Sequence, residues 1–118
     1  MINLERNQRS VLAQLRFSIL PLKLETGRFT GTKPEDRLCD ICNSGAVEDE
    51  CHFLFHCSHY LQERAHFYLQ LRDYPNFGNL TDIQKLKMLF ILEPRKLAKF
   101  ACKVLQKRQD MLYNSFPT

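Results

Sequence analysis

Cys39-Asp40-Ile41-Cys42 opens the stretch of this chain that is equipped for chemistry. Two residues separate the thiols, a spacing that lets one turn present both to a single ion. Nine residues lie between Cys42 and His52, and four between His52 and Cys57. Zinc takes thiolate sulfur and imidazole nitrogen in a tetrahedral shell of four. Cys39, Cys42, His52 and Cys57 therefore read as a structural zinc site. A redox Cys-x-x-Cys belongs to a thioredoxin-like strand-to-helix pattern. Here a turn, Asn43-Ser44-Gly45, and a Cys/His-rich run follow instead.

Cys39 and Cys42 are the firmer half of the site. The other half is drawn from Cys51, His52, His56, Cys57 and His59. His52 and His56 stand one helical turn apart, as in a two-Cys, two-His finger. His52 with Cys57 is preferred, because thiolate binds zinc well. Five residues at about 100° each leave the two side chains about 140° apart on an ideal helix. The helix is thus expected to end or distort before Cys57. His56 is then left outside the ligand set or exposed, Cys51 and Cys102 become small packed thiols, and His59 and His66 are surface or boundary residues.

Four protein ligands leave zinc no vacant position, and catalysis at zinc needs one. His-Glu-x-x-His, an adjacent aspartate pair, a nucleophile elbow and a Gly-rich phosphate loop are all absent. A zinc deaminase places His-x-Glu before Pro-Cys-x-x-Cys, and the Cys pair comes first here. A non-enzymatic module with no small-molecule substrate is expected.

The elements around this stretch are mostly helical in pattern. Residues 4–20 repeat Leu4, Val11, Leu12, Leu15 and Ile19 at helical spacing up to Pro21, with Arg6, Arg9 and Arg16 on a solvated side. Residues 21–38 show no period and read as an extended connection, with Arg37 near the thiolates or paired with a surface acid. A short hairpin fits Cys39–Val47, and Glu48-Asp49-Glu50 suits a helix start. Phe53, Leu54 and Phe55 fill the space beneath the metal. A second helix is expected from Ser58, as N-cap, to about Arg72. Its two apolar lines, Leu61/Ala65/Tyr68 and Tyr60/Phe67/Leu71, call for burial on more than one side. Thr81 to Gln84 matches a capping box, with Ile83, Leu86, Leu89 and Phe90 facing the core. After Pro94 comes a last helix of about fifteen residues with Leu97, Phe100, Ala101, Val104 and Leu105 on one face. The fold class is mainly α, a small helical domain with a central zinc knuckle of short hairpin plus helix. The 118 residues divide into a lead-in (1–35), the knuckle (36–60) and a basic helical tail (61–118).

A chain this short, 44% hydrophobic, buries a modest core, so a metal staple would matter. Five cysteines, an odd number, argue against a disulfide framework. The polar start and the lack of a long apolar run point away from secretion and the membrane, and so to the nucleus or cytoplasm. Net charge is +4, unevenly spread: residues 1–63 sum to −2 and residues 64–118 to +6. Arg95, Lys96, Lys99, Lys103 and Lys107 share the face opposite the apolar one on the last helix, with no acid between 95 and 108. Lys96, Lys99, Lys103 and Lys107 are candidates for phosphate contacts with RNA or DNA. The plain alternative is a solvated amphipathic face.

Leu22-Lys23-Leu24-Glu25-Thr26-Gly27-Arg28-Phe29, Glu35-Asp36-Arg37-Leu38-Cys39 with Cys42, and Glu48-Asp49-Glu50 followed by His52-Phe53-Leu54-Phe55 and Cys57 resemble a known family. It is the zinc-binding region at the C-terminal end of reverse transcriptases from non-LTR retrotransposons. The resemblance runs from about residue 20 to about residue 69. It implies zinc ligands at Cys39, Cys42, His52 and Cys57, and a part in holding template RNA or target DNA. The polymerase and endonuclease domains of such a parent have no counterpart in this chain. The expected function is a non-catalytic zinc module that binds nucleic acid. The alternatives are a zinc-stabilised protein-interaction module, or a fragment with no function of its own.

Overall fold

The computed structural model describes residues 5–114. Leu4, expected on the first apolar line, lies outside them. Five α-helices follow one another: α1 (Arg6–Arg16), α2 (Lys23–Thr26), α3 (Leu61–Leu69), α4 (Asp82–Leu92) and α5 (Pro94–Asn114). Between α2 and α3 sits the cysteine-rich knuckle. Among the described residues, its only pairing of extended backbone is one antiparallel bridge, Leu38 to Val47. The mainly α expectation holds.

The centre of the core is α5, on which α1, α3 and α4 all pack. Pro94 occupies its first turn, where the missing N–H costs no helical bond. Leu97, Ala98, Ala101 and Val104 are fully buried, and Phe67 of α3 stacks on Phe100 at 4.2 Å between centroids. The helix runs for 21 residues rather than about fifteen. Arg108, which the apolar stripe did not include, extends its inward face beyond Leu105.

α1 buries Val11, Leu12 and Leu15 as expected. It closes four residues before Pro21, with Ser18 at φ 56°. Ser18 N–H reaches Leu15 O at 3.2 Å and Ile19 N–H reaches Gln14 O at 2.9 Å. This is the paired capping of a left-handed helix end. It turns Ile19 off the helical line and out to solvent, and Leu20 is buried in its place.

Three further expectations change. The connection over 21–38 contains α2 and a 3₁₀ turn at Pro34–Asp36. α2 survives at four residues because Glu48 supplies its missing acceptors: Lys23 N–H donates to Glu48 Oε1 at 2.7 Å and Leu24 N–H to Glu48 O at 3.1 Å. The helix expected from Ser58 starts at Leu61 after a 3₁₀ turn, and Ser58 makes no capping bond. Only the Tyr60/Phe67/Leu71 line is buried, while Leu61 and Ala65 face solvent. Tyr68 of the other line is half-buried against Phe77, so α3 packs on α5 and on the loop beyond it. In α4 the Thr81–Gln84 capping box forms, but Ile83 is exposed and Leu89 alone is fully buried.

Candidate metal centre

The knuckle begins where Cys39 N–H donates to Ala46 O at 2.9 Å. Asn43 and Gly45 take positive φ, 54° and 83°, and reverse the chain between the first cysteine pair and Val47. Asp49 Oδ1 then accepts from His52 N–H at 2.8 Å and so caps the helical turn that follows.

That turn is not an α-helix. His52–His56 form a π turn, closed by Cys57 N–H on His52 O at 2.7 Å. An i to i+5 closure is wider than an α turn. It resolves the awkward five-residue offset, because it brings Cys57 back over His52. Cys57 itself is extended (φ −61°, ψ 121°) and ends the turn. Widening leaves carbonyls without helical partners, and Arg64 serves two of them. Its Nε donates to Leu54 O at 2.9 Å and its Nη2 to Cys57 O at 2.8 Å. Phe53, Leu54 and Phe55 are buried beneath the turn, as expected.

The ligand atoms of Cys39, Cys42, His52 and Cys57 all lie within 4.8 Å of one another. Cys39 Sγ and Cys57 Sγ are 4.0 Å apart, and Cys42 Sγ and His52 Nε2 are 3.3 Å apart. A regular tetrahedron with the usual zinc–ligand lengths has edges of about 3.8 Å between sulfurs and about 3.5 Å from sulfur to nitrogen. The cluster has the size and donor set of a closed four-coordinate metal site. All five cysteines are free thiols.

Without metal the thiols differ. Burial pushes Cys57 up to about 12, and the neighbouring cysteine sulfurs add to it. Burial foremost raises Cys39 too. Burial also acts on Cys42, but the Ser44 hydroxyl at 3.1 Å, the Ser44 backbone and His52 outweigh it, and the thiol falls to about 6.

The remaining candidates lie outside the cluster. His56 is exposed and binds Asp82 through Nε2 at 2.8 and 2.9 Å. Cys51 and Cys102 are half-buried and pack against the core. Arg37 goes neither to thiolates nor to an acid; it donates to Leu24 O at 2.7 Å and Thr32 O at 2.9 Å, bracing the loop before the knuckle.

The four lysines of α5 divide into two pairs. Lys96 Nζ is tied to Gln70 O at 3.0 Å, and Lys107 Nζ to Glu63 Oε1 at 2.7 Å. Lys99 and Lys103 are exposed and make no hydrogen bond or ion pair among the described residues. Together with Lys96 and His66 they line a cleft of about 150 Å³ between α3 and α5.

The burial of three charged residues was not expected: Glu48, read as an acid at a helix start, lies outside that turn and pairs with Lys23 N–H and Arg108, and Arg64 and Arg108 were not singled out. The two arginines had left a signal. Arg64 continues the line Tyr60, Phe67, Leu71, and Arg108 continues Leu97, Ala101, Val104, so both are charges on an apolar stripe.

No protein-family model, curated protein or solved structure matches the chain. Among the described residues, no helix is long and apolar enough to cross a membrane.

Proposed function

We propose that this chain is a non-catalytic zinc module that holds nucleic acid by its phosphate backbone. The convergence of three sulfurs and one imidazole nitrogen within 4.8 Å carries the metal half of this reading. A tetrahedral shell of thiolates and one imidazole suits zinc. When bound, zinc supplies a crosslink between the hairpin and the π turn, and four protein ligands leave it no position for water.

The nucleic-acid half rests on the unpaired ammonium groups of Lys99 and Lys103 beside the α3/α5 cleft, in the basic half of the chain. The resemblance of the stretch from about residue 20 to about residue 69 to the zinc-binding region of non-LTR retrotransposon reverse transcriptases favours the same reading, and with it an origin in such an element. Lys96 and Lys107 shape this surface by joining α5 to α3, and Lys99 and Lys103 are the ones that meet phosphate.

The test is binding of the zinc-loaded chain to a fluorescent RNA or DNA oligonucleotide across a salt series. Log affinity should fall linearly with log salt, by a slope of about 0.9 per phosphate contact on duplex DNA and about 0.7 on a single strand. Lys99→Glu with Lys103→Glu should flatten that slope. Binding that ignores salt, or ignores the double charge reversal, overturns the nucleic-acid half and leaves the metal half standing.

A protein-interaction module is the second reading. Phe17, 70% exposed, and Ile91, 76% exposed, favour it. They sit near the ends of α1 and α4, which are joined by Arg16 lying 5.4 Å over the Phe90 ring.

A further inference from the structure

We propose that Glu48 and Arg108 form the outer shell of the metal centre, and that the last helix is therefore a working part of it. The inference rests on the metal reading above. Glu48 is 1% exposed, and its Oε2 lies 3.9 Å from Cys39 Sγ. A carboxylate buried that close to a ligand sulfur opposes the thiolate that metal binding requires. Arg108, 60 residues further along, removes the conflict. Its Nε donates to Glu48 Oε2 at 2.8 Å and its Nη2 to Glu48 Oε1 at 2.7 Å, a two-pronged pair out of reach of water. The charge that makes Cys39 tolerable as a thiolate thus comes from α5.

Outer partners of this kind orient ligands and tune metal affinity. Because Arg108 sits on the helix that also bears Lys99 and Lys103, metal loading and the seating of that helix are linked, and each stabilises the other.

The experiment is zinc affinity, measured by competition with a chromogenic chelator, for the full chain and three variants. Cobalt(II) absorption reports the ligand set. Arg108→Met should weaken zinc by about ten- to a hundredfold with an unchanged cobalt spectrum. Glu48→Gln should bind zinc at least as tightly as the parent, because the unmatched charge is then the guanidinium, which favours a thiolate at Cys39; a merely structural pair would lose by the removal of either partner. Glu48→Gln combined with Arg108→Met should recover most of the Arg108→Met loss, because no carboxylate then faces Cys39. If Arg108→Met does not fold, Glu48→Gln and the double variant decide. Parent-like affinity in Arg108→Met, weakening in Glu48→Gln equal to that in Arg108→Met, or no recovery in the double variant overturns the inference while leaving the metal site intact. A parent chain that takes up neither zinc nor cobalt overturns the metal reading and this inference together.

Discussion

Arg108 grips Glu48 with two hydrogen bonds of 2.7 and 2.8 Å, and the pair bridges the knuckle and the last helix. The same carboxylate accepts Lys23 N–H at 2.7 Å, so one side chain organises α2, α5 and the approach to Cys39. Removing one partner leaves a buried, unmatched charge. Glu48→Ala should cost about 3–5 kcal/mol of stability, read as a lower urea midpoint of the zinc-loaded protein. A midpoint within error of the parent would show that water relieves the pair and that the site is more open than described.

Metal removal should destabilise the whole fold, because among the described residues the knuckle has a single bridge of extended backbone. Structural zinc in small modules contributes on the order of 10–16 kcal/mol of apparent binding energy near neutral pH. Cys39→Ser and Cys57→Ser should each lose stoichiometric zinc and a large part of the thermal stability. Native mass spectrometry with and without chelator checks both, and one zinc per chain retained in either variant contradicts the ligand set.

His56 should be dispensable for the metal. Its pairing with Asp82 is exposed, at 54% and 36% of the two side chains. Such pairs contribute about 0–1 kcal/mol. His56→Ala is expected to keep one zinc per chain and nearly the parent melting temperature, and metal analysis that finds the zinc gone would put His56 in the shell.

The pH response of the metal-free chain follows from Cys42. Its thiol lies at about 6 in the folded chain against an ordinary value of 9.0. The folded state therefore binds this proton more weakly than the unfolded state. The resulting stabilisation is complete above about pH 9 and is lost as pH falls through about 6. Near neutral pH Cys42 should be the first thiol alkylated in chelated protein, ahead of Cys51 at about 11 and Cys57 at about 12. Peptide mapping of a short iodoacetamide pulse reads the order directly; equal labelling of the three would mean that the Ser44 and His52 contacts do not form without metal.

Gly27 gives a test of the loop before the knuckle. A Cβ there would stand 2.6–2.9 Å from the Arg37 side chain. Two hydrogen bonds, to Leu24 O and Thr32 O, hold that side chain in place. Gly27→Ala should cost about 1–3 kcal/mol, and Arg37→Met in the same background should add less than it does alone, since both act on one contact. Fully additive losses in chemical denaturation would separate the two residues.

The sequence by itself determined the ligand spacing, the helical class and the inward faces of α1 and α5, because these follow from short-range periodicity and from donor chemistry written in consecutive residues. It even required a distortion between His52 and Cys57, since a regular helix cannot bring those positions together. Only the tertiary structure decided that the distortion is a π turn, that Arg64 satisfies its open carbonyls, and that Glu48 caps α2 while pairing with Arg108. Those partners lie 7 to 60 residues apart. A charge on an apolar stripe shows that it must be buried with a partner, but the partner's identity depends on which distant segment the folded chain brings within hydrogen-bond reach.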